Sequence, residues 1–501
     1  MGLKTAEQFR ESLRDGRVVY FEGEKVKDVT THPKLKVATD TAAFDYEMAE
    51  IPEYRDLAVV KDKKTGEEYS RYFHRPENGE DLLKRHELML TASRLNYTTT
   101  PFAREMIDSF NGCVVTAHAM GNKDYIERTD AYLAYLRKND LSLAGAITDV
   151  KGDRVLRPAD PKQGHRDYYL RVIDKGKDGI VVRGCKAHIT SSAYLNEMMV
   201  MPCRNMTQDD ADYAVAFATP VNAKGILQIV HPFDSHRGSL DFPIDAPVRS
   251  HTDSLVIFDD VFVPWERVFL CGEWQHAATA VYNFAYLHRH TAVTYHIAWV
   301  ELIVGLGAAI ADYNGVAKAP NIREELTELI IYLNTMKSLA RASCIDYVKH
   351  GDLAIPNPVT ANVAKHYYAD NYHKVVKIVE DLCGAILTTA PTYRDWQNPD
   401  TGKFMEKYLG GRAGATAEAR LRILQALRHY PCLGTELDVN NIHAEGSLMA
   451  ERLTIYGEAR KDLELYKQLA NYLAGNIKMS WDEYKQLCQE LSKLGKGESH
   501  K

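Results

Sequence analysis

The stretch Asp178-Gly-Ile-Val-Val-Arg-Gly-Cys-Lys-Ala-His-Ile-Thr-Ser-Ser192 says the most about the fold of this chain. Its β-branched residues predict a strand, Gly184 predicts a tight turn, and a second strand would end in the hydroxyl residues 190–192. The stretch Gly145-Ala-Ile-Thr-Asp-Val-Lys-Gly-Asp-Arg154 is the second informative segment. Hydroxyl residues often only close a turn, so this pattern by itself predicts β structure and no particular chemistry.

Short β-branched runs, separated by Gly, Pro and Asp, predict the extent of the β structure. They cover residues 180–182, 197–201, 213–219, 226–230, 255–258 and 268–270, and such spacing predicts a compact antiparallel β domain over residues 141–275. Helical spacing of apolar residues covers 79–95, 125–139, 288–313, 322–350, 361–387, 416–428 and 445–474. We therefore predict an α+β fold in three parts, with a mostly helical domain over residues 1–140 and a helical bundle over 276–501.

Composition narrows the class of protein. The 501 residues are 45% hydrophobic and 26% charged, with a formal net charge of −6, as in ordinary globular enzymes and without the basic excess of nucleic-acid-binding proteins. The longest apolar run, residues 302–311, is too short for a membrane span. The N-terminus has no signal-peptide pattern. These features predict a cytoplasmic protein that binds neither nucleic acid nor membrane.

Eight cysteines are spread along the chain, and no two of them lie within a few residues of each other. No Cys-x-x-Cys ligand pair exists, so the spacing predicts no metal site. Most of these cysteines are expected to be buried as small apolar side chains.

Several longer segments resemble one known family. They include Asp253-Ser-Leu-Val-Ile-Phe-Asp-Asp-Val-Phe-Val-Pro264 and Val379-Glu-Asp-Leu-Cys-Gly384, together with residues 5–8, 18–20, 311–315 and 420–424. The chain resembles the flavoproteins that include the 4-hydroxyphenylacetate 3-hydroxylase oxygenase component and 4-hydroxybutyryl-CoA dehydratase, and it is closer to the dehydratase branch. The resemblance implies an acyl-CoA dehydrogenase-like fold, FAD as the cofactor and a homotetramer built from dimers.

The resemblance also implies which residues hold the flavin. The positions along or beside the ring are Ile147, Thr148, Asp149, Lys151, Arg154, Thr190 and Ser191. Thr190 would donate a hydrogen bond near N5, where a hydroxyl stabilises the charge of a reduced ring. Gly384 would approach the cofactor's diphosphate across a subunit boundary, because glycine lets backbone amides come close to phosphate.

The ligands of the dehydratase's [4Fe–4S] cluster are mostly replaced. By resemblance, the three cysteine positions fall on Arg94, Thr98 and Tyr295, and only the histidine position is retained, as His288. One ligand of four cannot hold a cluster, since thiolates supply most of the binding, and no iron–sulfur cluster is expected. The resemblance implies instead a cavity lined by Arg94, Tyr97, His288 and Tyr295. Each of these side chains has a structural role in the helices as its alternative.

Within that cavity, Arg94 would pair with a substrate carboxylate or phenolate, and His288 and Tyr295 would donate hydrogen bonds or move protons. The segment Asn441-Ile-His-Ala-Glu-Gly-Ser447 resembles a loop near the flavin and offers His443 and Glu445 for proton transfer. Capping of the following helix is the alternative for this loop. The hydroxylase branch is not matched throughout either, because a histidine that contacts its phenol falls on Gly145.

Two catalytic functions follow. The first is a monooxygenase that takes reduced FAD from a separate flavin reductase and hydroxylates an aromatic or related small-molecule substrate. The second is a cluster-free acyl-CoA isomerase, dehydratase-like enzyme or dehydrogenase, with His288 or Glu445 as base. A non-catalytic, flavin-storing protein is a third alternative. A requirement for CoA distinguishes the second function, and oxygen consumption coupled to product distinguishes the first.

Overall fold

The computed structural model describes residues 2–62, 65–96, 103–231, 251–428, 442 and 444–494. It divides into two compact units. The first unit consists of Met1–Arg75, Glu87–Ser235 and Val248–His288, and the second unit consists of Pro76–His86, His236–Pro247 and Arg289–Lys501. The division falls within two helices, so each unit is described by itself. The three-part division of the sequence stays a prediction.

The first unit begins with helices. These are α1 (Ala6–Glu11), α2 (Leu35–Glu47), α3 (Pro52–Ala58), α4 (Gly79–Leu95, which starts in the second unit), α5 (Ile107–Met120) and α6 (Lys123–Asn139). Both helices predicted in this region are confirmed, α4 with the predicted bounds. Thr5 caps α1 through a reciprocal pair of hydrogen bonds with Gln8, which satisfies two otherwise unpaired backbone amides.

Two main sheets follow in the first unit. The strands are β1 (Val19–Phe21), β2 (Glu24–Lys25), β3 (Val59–Lys61), β4 (Glu68–Ser70), β5 (Leu143–Ala146), β6 (Arg171–Lys175), β7 (Gly179–Thr190), β8 (Glu197–Val200), β9 (Val215–Pro220), β10 (Ile226–Val230), β11 (Asp253–Pro264) and β12 (Val268–Cys271). The larger sheet has the order β2-β1-β10-β11-β7-β6, the smaller has β12-β9-β8-β5, and β3 pairs with β4. Most pairs are antiparallel as predicted, but β1–β10 and β5–β8 are parallel.

The core of the first unit lies where these two sheets face each other. Phe217 of the smaller sheet meets Phe258 of the larger one edge to face, with ring centroids 6.2 Å apart. Side chains alternate along β11, so that Val261 and Val263 are buried while Phe262 is 54% exposed. This alternation is the signature of a sheet with one covered face.

The turn predicted at Gly184 is wrong. β7 runs straight through this residue as one strand of 12 residues. Gly184 has a φ of 146°, and a Cβ atom there would lie 2.5 Å from the Cα of Leu170. Glycine at this position therefore lets another backbone segment come close to the strand. A glycine within a strand marks either such a close contact or a bend.

A buried ion cluster holds several helices of the first unit together. The Arg104 guanidinium lies 2.7 Å from an Asp140 carboxylate oxygen, 3.4 Å from one of Asp45, and 3.6 Å over the ring of Tyr46. Burial raises the pKa of Asp45 to about 6, although the nearby Arg104 acts in the opposite direction. Such a cluster is tolerated in a core because each charge has an opposite partner.

The second unit is helical. Its elements are α7 (Ala277–Tyr313, which starts in the first unit), α8 (Pro320–Ile345), β13 (Val348–His350), β14 (Leu353–Ile355), α9 (Pro358–Cys383), α10 (Ile386–Thr389), α11 (Tyr393–Gln397), α12 (Pro399–Tyr408), α13 (Ala417–Leu427), α14 (Leu448–Ala459), α15 (Asp462–Leu473) and α16 (Trp481–Leu491). The helix predicted over 322–350 ends earlier, because residues 348–350 pair with β14. The one predicted over 361–387 stops at Gly384, whose φ is 70°.

Helix α7 is long and apolar enough to cross a membrane by length and composition alone. It extends well beyond the apolar run of residues 302–311. However, 67% of its most apolar stretch is buried inside the protein, as in the central helix of a bundle.

We predict that Gly184→Ala destabilises the protein by about 2 kcal/mol or more, because a methyl group there overlaps a backbone and the φ is unfavourable for alanine. Urea unfolding measures this change. Gly305→Ala is the matched control, since Gly305 lies inside α7 with no atom within 4 Å of the added methyl group. The control should be neutral or more stable by about 0.5–1 kcal/mol. Equal effects of the two substitutions would contradict the prediction.

Candidate active site

The structure brings together the two stretches that stood out in the sequence. Ile147 and Thr148 follow β5, and the backbone amide of Ala187 in β7 donates a hydrogen bond to the Thr148 carbonyl at 2.8 Å. Asp149 then forms an isolated bridge with Lys186. The first stretch therefore runs alongside the second, at the edge of the smaller sheet.

Lys186 fixes this arrangement. Its Nζ atom donates to the carbonyl oxygens of Ile147 at 2.9 Å and Met201 at 2.8 Å, and lies 2.9 Å from a carboxylate oxygen of Asp149. The residue is only 1% exposed. Asp149 also accepts a hydrogen bond from the Leu170 amide at 2.9 Å. The resemblance points to Asp149 but not to Lys186, whose one signal in the sequence is a charged side chain within a β-branched run.

The hydroxyl residues of this region divide into two groups. Thr148 and Thr190 are half-buried, and their side-chain hydroxyls have no hydrogen-bond partner among the residues that the structure describes. Ser191 is buried with a φ of 63°, and its hydroxyl lies 2.9 Å from that of Tyr194. Thr148 and Thr190 are thus available to a ligand, whereas the Ser191 hydroxyl is already used within the protein.

Three other residues predicted to hold the cofactor, Lys151, Arg154 and Gly384, lie outside the helices and strands. Lys151 is half-buried with a φ of 78°, and its amide donates to the Tyr168 carbonyl at 3.1 Å. Arg154 is exposed. Gly384, in the second unit, is exposed directly after α9, and no atom of a non-adjacent described residue lies within 4 Å of the place where a side chain would begin. Its backbone is therefore open to an approaching group.

Gly145 is enclosed. A Cβ atom at this position would overlap the terminal methyl group of Met106, so Met106 fills the space that a side chain at 145 would need. At the position where the hydroxylase branch has a histidine, a ligand beside β5 would contact the thioether of Met106 instead of an imidazole. Met106 was not identified from the sequence.

His288 has a carboxylate partner in the first unit. Its Nδ1 atom lies 3.4 Å from an oxygen of Asp108, which is fully buried. Its ring stacks on Phe284 with centroids 5.1 Å apart. α5 and α7 approach closely here, at Gly112. A Cβ atom at this position would lie only 2.8 Å from the Ala280 carbonyl oxygen, so the approach depends on the glycine. Asp108 therefore places a buried carboxylate beside the imidazole.

In the second unit, the structure brings together Tyr295 and Glu445, which were predicted separately as candidate site residues. The Tyr295 hydroxyl donates to Glu445 Oε1 at 2.6 Å. The other oxygen of Glu445 lies 3.6 Å from the Nζ atom of Lys365, which lies 3.7 Å from Glu451. Burial raises the pKa of Glu451. Lys365 and Glu451 gave no signal in the sequence.

The loop that carries Glu445 caps the following helix, as one of the two interpretations predicts, and the proton-transfer role stays a prediction. Glu445 has a φ of 59°, and its carbonyl accepts a hydrogen bond from Arg289 Nε at 3.1 Å. A Cβ at Gly446 would lie 2.8 Å from Arg289 Nη2, which explains the glycine. Ser447 caps α14, since its hydroxyl accepts from the Ala450 amide. The loop thus caps a helix with one residue and directs another into a buried cluster.

Three other residues predicted to belong to the site are not among the contacts described above. Arg94 is exposed in the last turn of α4. Tyr97 and His443 lie outside the described residues. In the described part of the chain, no group of three or more His, Cys, Asp or Glu side chains is arranged to hold a metal ion.

The class of protein follows from the α+β fold, which is acyl-CoA dehydrogenase-like: the chain superposes on a glutaryl-coenzyme A dehydrogenase complex with a TM-score of 0.50 at 12% identity, covering 90% of this chain and 93% of that one. The family is more specific. Residues 5–270 match the model of the 4-hydroxyphenylacetate 3-hydroxylase N terminal domain, and residues 277–475 match that of its C terminal domain. The chain therefore belongs to the 4-hydroxyphenylacetate 3-hydroxylase family, and the resemblance stated from the sequence is confirmed.

Relatives from both branches of the family match this chain. It is 32% identical over 494 residues to the 4-hydroxybutyryl-CoA dehydratase/vinylacetyl-CoA-Δ-isomerase of Clostridium aminobutyricum, covering 94% of this chain and 99% of that one. It is 30% identical to the 4-hydroxyphenylacetate 3-monooxygenase oxygenase component of Thermus thermophilus, covering 81% and 83%. A crystal structure of such an oxygenase component complexed with FAD superposes with a TM-score of 0.80 at 25% identity, covering 94% and 100%.

We predict that Lys186→Met destabilises the protein by about 3 kcal/mol or more, because Asp149 is left as a buried charge without its cation. Lys177→Met, which removes an exposed lysine a few residues before the same strand segment, should change the free energy of unfolding by less than about 0.5 kcal/mol. Urea unfolding of both variants makes the comparison. A similar, small effect of both substitutions would show that the buried pair contributes little.

Proposed function

We propose that this chain is an FAD-dependent oxidoreductase that uses reduced FAD from a separate flavin reductase to hydroxylate an aromatic or related small molecule. The observation that carries this proposal is the identity of residue 295. At the position where the resemblance implies a cysteine ligand, the chain has Tyr295, which supplies no thiolate and whose phenol donates a hydrogen bond to Glu445 at 2.6 Å. With the thiolate replaced, the flavin is the redox group that the resemblance leaves to this chain, and we assign proton transfer to Tyr295.

The residues of the first unit fit FAD. The hydroxyls of Thr148 and Thr190 have no partner among the described residues and are half-buried, as hydrogen-bond donors to a bound ring would be. Lys186 and Asp149 keep the segment from Ile147 to Asp149 in place through buried contacts. When bound, reduced FAD supplies the electrons for oxygen activation. The chain's own part is to hold the ring, orient it and exclude water.

An acyl-CoA enzyme without a cluster is the second candidate. Its support is the buried Glu445 carboxylate, whose environment of Tyr295, Lys365 and Arg289 suits a base that removes a proton next to a thioester. The Met106 side chain at Gly145 also favours an aliphatic substrate over a phenol that needs an imidazole at that position. The similarity to the dehydratase/isomerase of Clostridium aminobutyricum points the same way.

One pair of assays decides between the two functions. The protein is supplied with reduced FAD and oxygen in the presence of a panel of phenols, and oxygen uptake is compared with hydroxylated product by mass spectrometry. Product in a fixed ratio to oxygen supports the monooxygenase. In parallel, acyl-CoA thioesters are incubated anaerobically with FAD-loaded protein in D₂O. Uptake of deuterium next to the thioester, with no oxygen-dependent product, would establish the second function instead.

A binding measurement tests the assignment of Thr190 independently of activity. We predict that Thr190→Val weakens FAD binding at least about 5-fold, because a hydrogen bond to the ring contributes roughly 1 kcal/mol. Thr190→Ser, which keeps the hydroxyl, should bind FAD within about 3-fold of the unsubstituted protein. Quenching of flavin fluorescence gives both affinities. Equal affinities of the Val and Ser variants would remove Thr190 from the cofactor site.

We also propose a homotetramer in the cytoplasm. The C-terminal helices α14–α16 present a large exposed apolar surface, and α15 buries none of its residues within the chain. The exposed side chains are Met449, Leu453, Tyr456, Leu463, Tyr466, Leu473, Ile477 and Trp481. Such a surface on helices with little core of their own fits further copies of this chain. The cysteines in the described part of the chain are free, as in a reducing compartment.

The association has a direct test. Leu453→Asp with Leu473→Asp should lower the mass seen by sedimentation velocity, because the added charges would be buried in the contact. Gln468→Asp adds a charge at an exposed polar position of α15 and should leave the tetramer intact. A tetramer that survives both leucine substitutions would place the subunit contacts elsewhere.

A further inference from the structure

Lys365 lies at the centre of the buried cluster of the second unit. It belongs to α9 and is fully buried. Its Nζ atom lies 3.6 Å from Glu445 Oε2 and 3.7 Å from Glu451 Oε1, and 5.8 Å from the ring centroid of Tyr368. An ammonium group in such a place needs anionic partners, because an isolated buried charge costs several kcal/mol, on the order of tens by simple solvation arguments.

Among the described residues, the cluster contains two basic side chains, Lys365 and Arg289, and two acidic ones, Glu445 and Glu451. Arg289 is tied to the Glu445 backbone carbonyl at 3.1 Å and to the side chains of Asn362 and Thr454. These three contacts are to neutral oxygens. Lys365 lies at the Glu445 carboxylate itself, 3.6 Å from Oε2.

The two oxygens of Glu445 have different partners. Oε1 accepts the hydrogen bond of Tyr295 at 2.6 Å, and Oε2 faces Lys365 at 3.6 Å. A nearby cation favours the ionised carboxylate, and an ionised carboxylate is the form that can accept the phenol's proton. Glu451, on α14, holds Lys365 from its other side. The order of the groups is thus Tyr295, Glu445, Lys365, Glu451.

We propose that Lys365 is a positioning residue that keeps Glu445 ionised as the proton acceptor for Tyr295, and that Glu451 keeps Lys365 in place. This rests on the proposed function of Tyr295 as a proton-transfer group. In the step, a bond from substrate to hydrogen breaks and its proton goes to Tyr295 Oη. The Tyr295 O–H bond breaks at the same time, and that proton goes to Glu445 Oε1. The net change is one proton from substrate to Glu445.

The test uses the full chain without substrate, so that it does not depend on which reaction the enzyme catalyses. 3-Fluorotyrosine is placed at position 295, and its fluorine resonance is followed by NMR as a function of pH. The resonance responds to the carboxylate that the phenol touches and also to His296, whose ring centroid lies 4.6 Å from that of Tyr295. The transition that disappears in Glu445→Gln is the one assigned to Glu445. We expect the midpoint of this transition in Lys365→Met to lie at least about one pH unit above that of the unsubstituted chain.

Two matched variants isolate the charge of Lys365. Lys365→Arg keeps a cation and should restore most of the difference. Lys337→Met removes the lysine of a surface pair with Glu301 in the same unit, at 2.6 Å, and should leave the midpoint unchanged. An unchanged midpoint in Lys365→Met, with the fold intact by circular dichroism, would overturn the proposal.

Glu451→Gln provides a second route in case Lys365→Met does not fold. Glu451→Gln removes one of the two carboxylates that the structure describes beside Lys365, and with it a negative charge close to Glu445, so the charge of Lys365 acts more strongly on Glu445. The fluorine midpoint should then fall below that of the unsubstituted chain. A rise, or no change, would contradict the proposed order of the groups. Substrate turnover that fails while the midpoints shift as expected would count against the proposed function and not against the role of Lys365.

Discussion

One buried ammonium group, that of Lys186, is the constraint on which the candidate cofactor site depends. It joins the segment after β5 to the segment after β8 by donating to a carbonyl oxygen in each, and it neutralises Asp149. Because both charges are withdrawn from water, neither can be lost alone without a large cost. The segment that carries Thr148 is therefore anchored to the edge of a sheet, beside the strand that ends at Thr190.

The sequence predicts where the helices and strands lie better than it predicts which segments they contact. Helical periodicity gives the bounds of α4, and short β-branched runs locate six strands of the first unit, because both patterns are local. The reason for the glycine at 184 is a contact between distant parts of the chain, since its close neighbour, Leu170, lies on a different segment. The parallel pairing of β1 with β10 is likewise set by tertiary contact, which no period of two reveals.

The same distinction applies to the site. Tyr295 and Glu445 were each nominated from the sequence, but they are 150 residues apart, and only the fold shows that one donates to the other. Lys365 looks like an ordinary helix residue in the sequence, yet it is fully buried. Ser191 shows the reverse case, since a hydroxyl that looked available is used by Tyr194. A residue type suggests chemistry, whereas its neighbours decide whether that chemistry is free to act.

The contact between Gly145 and Met106 has a consequence for how this protein can evolve. A side chain at 145 would occupy the place of the Met106 terminal methyl group, so Met106 would have to change rotamer or be replaced. Methionine has three rotatable bonds and can turn away from a small addition more readily than a branched side chain could. Shortening Met106 alone would leave a cavity, which costs stability. Substitutions at 106 and 145 are therefore expected to be coupled, and the coupling should grow with the size of the side chain placed at 145.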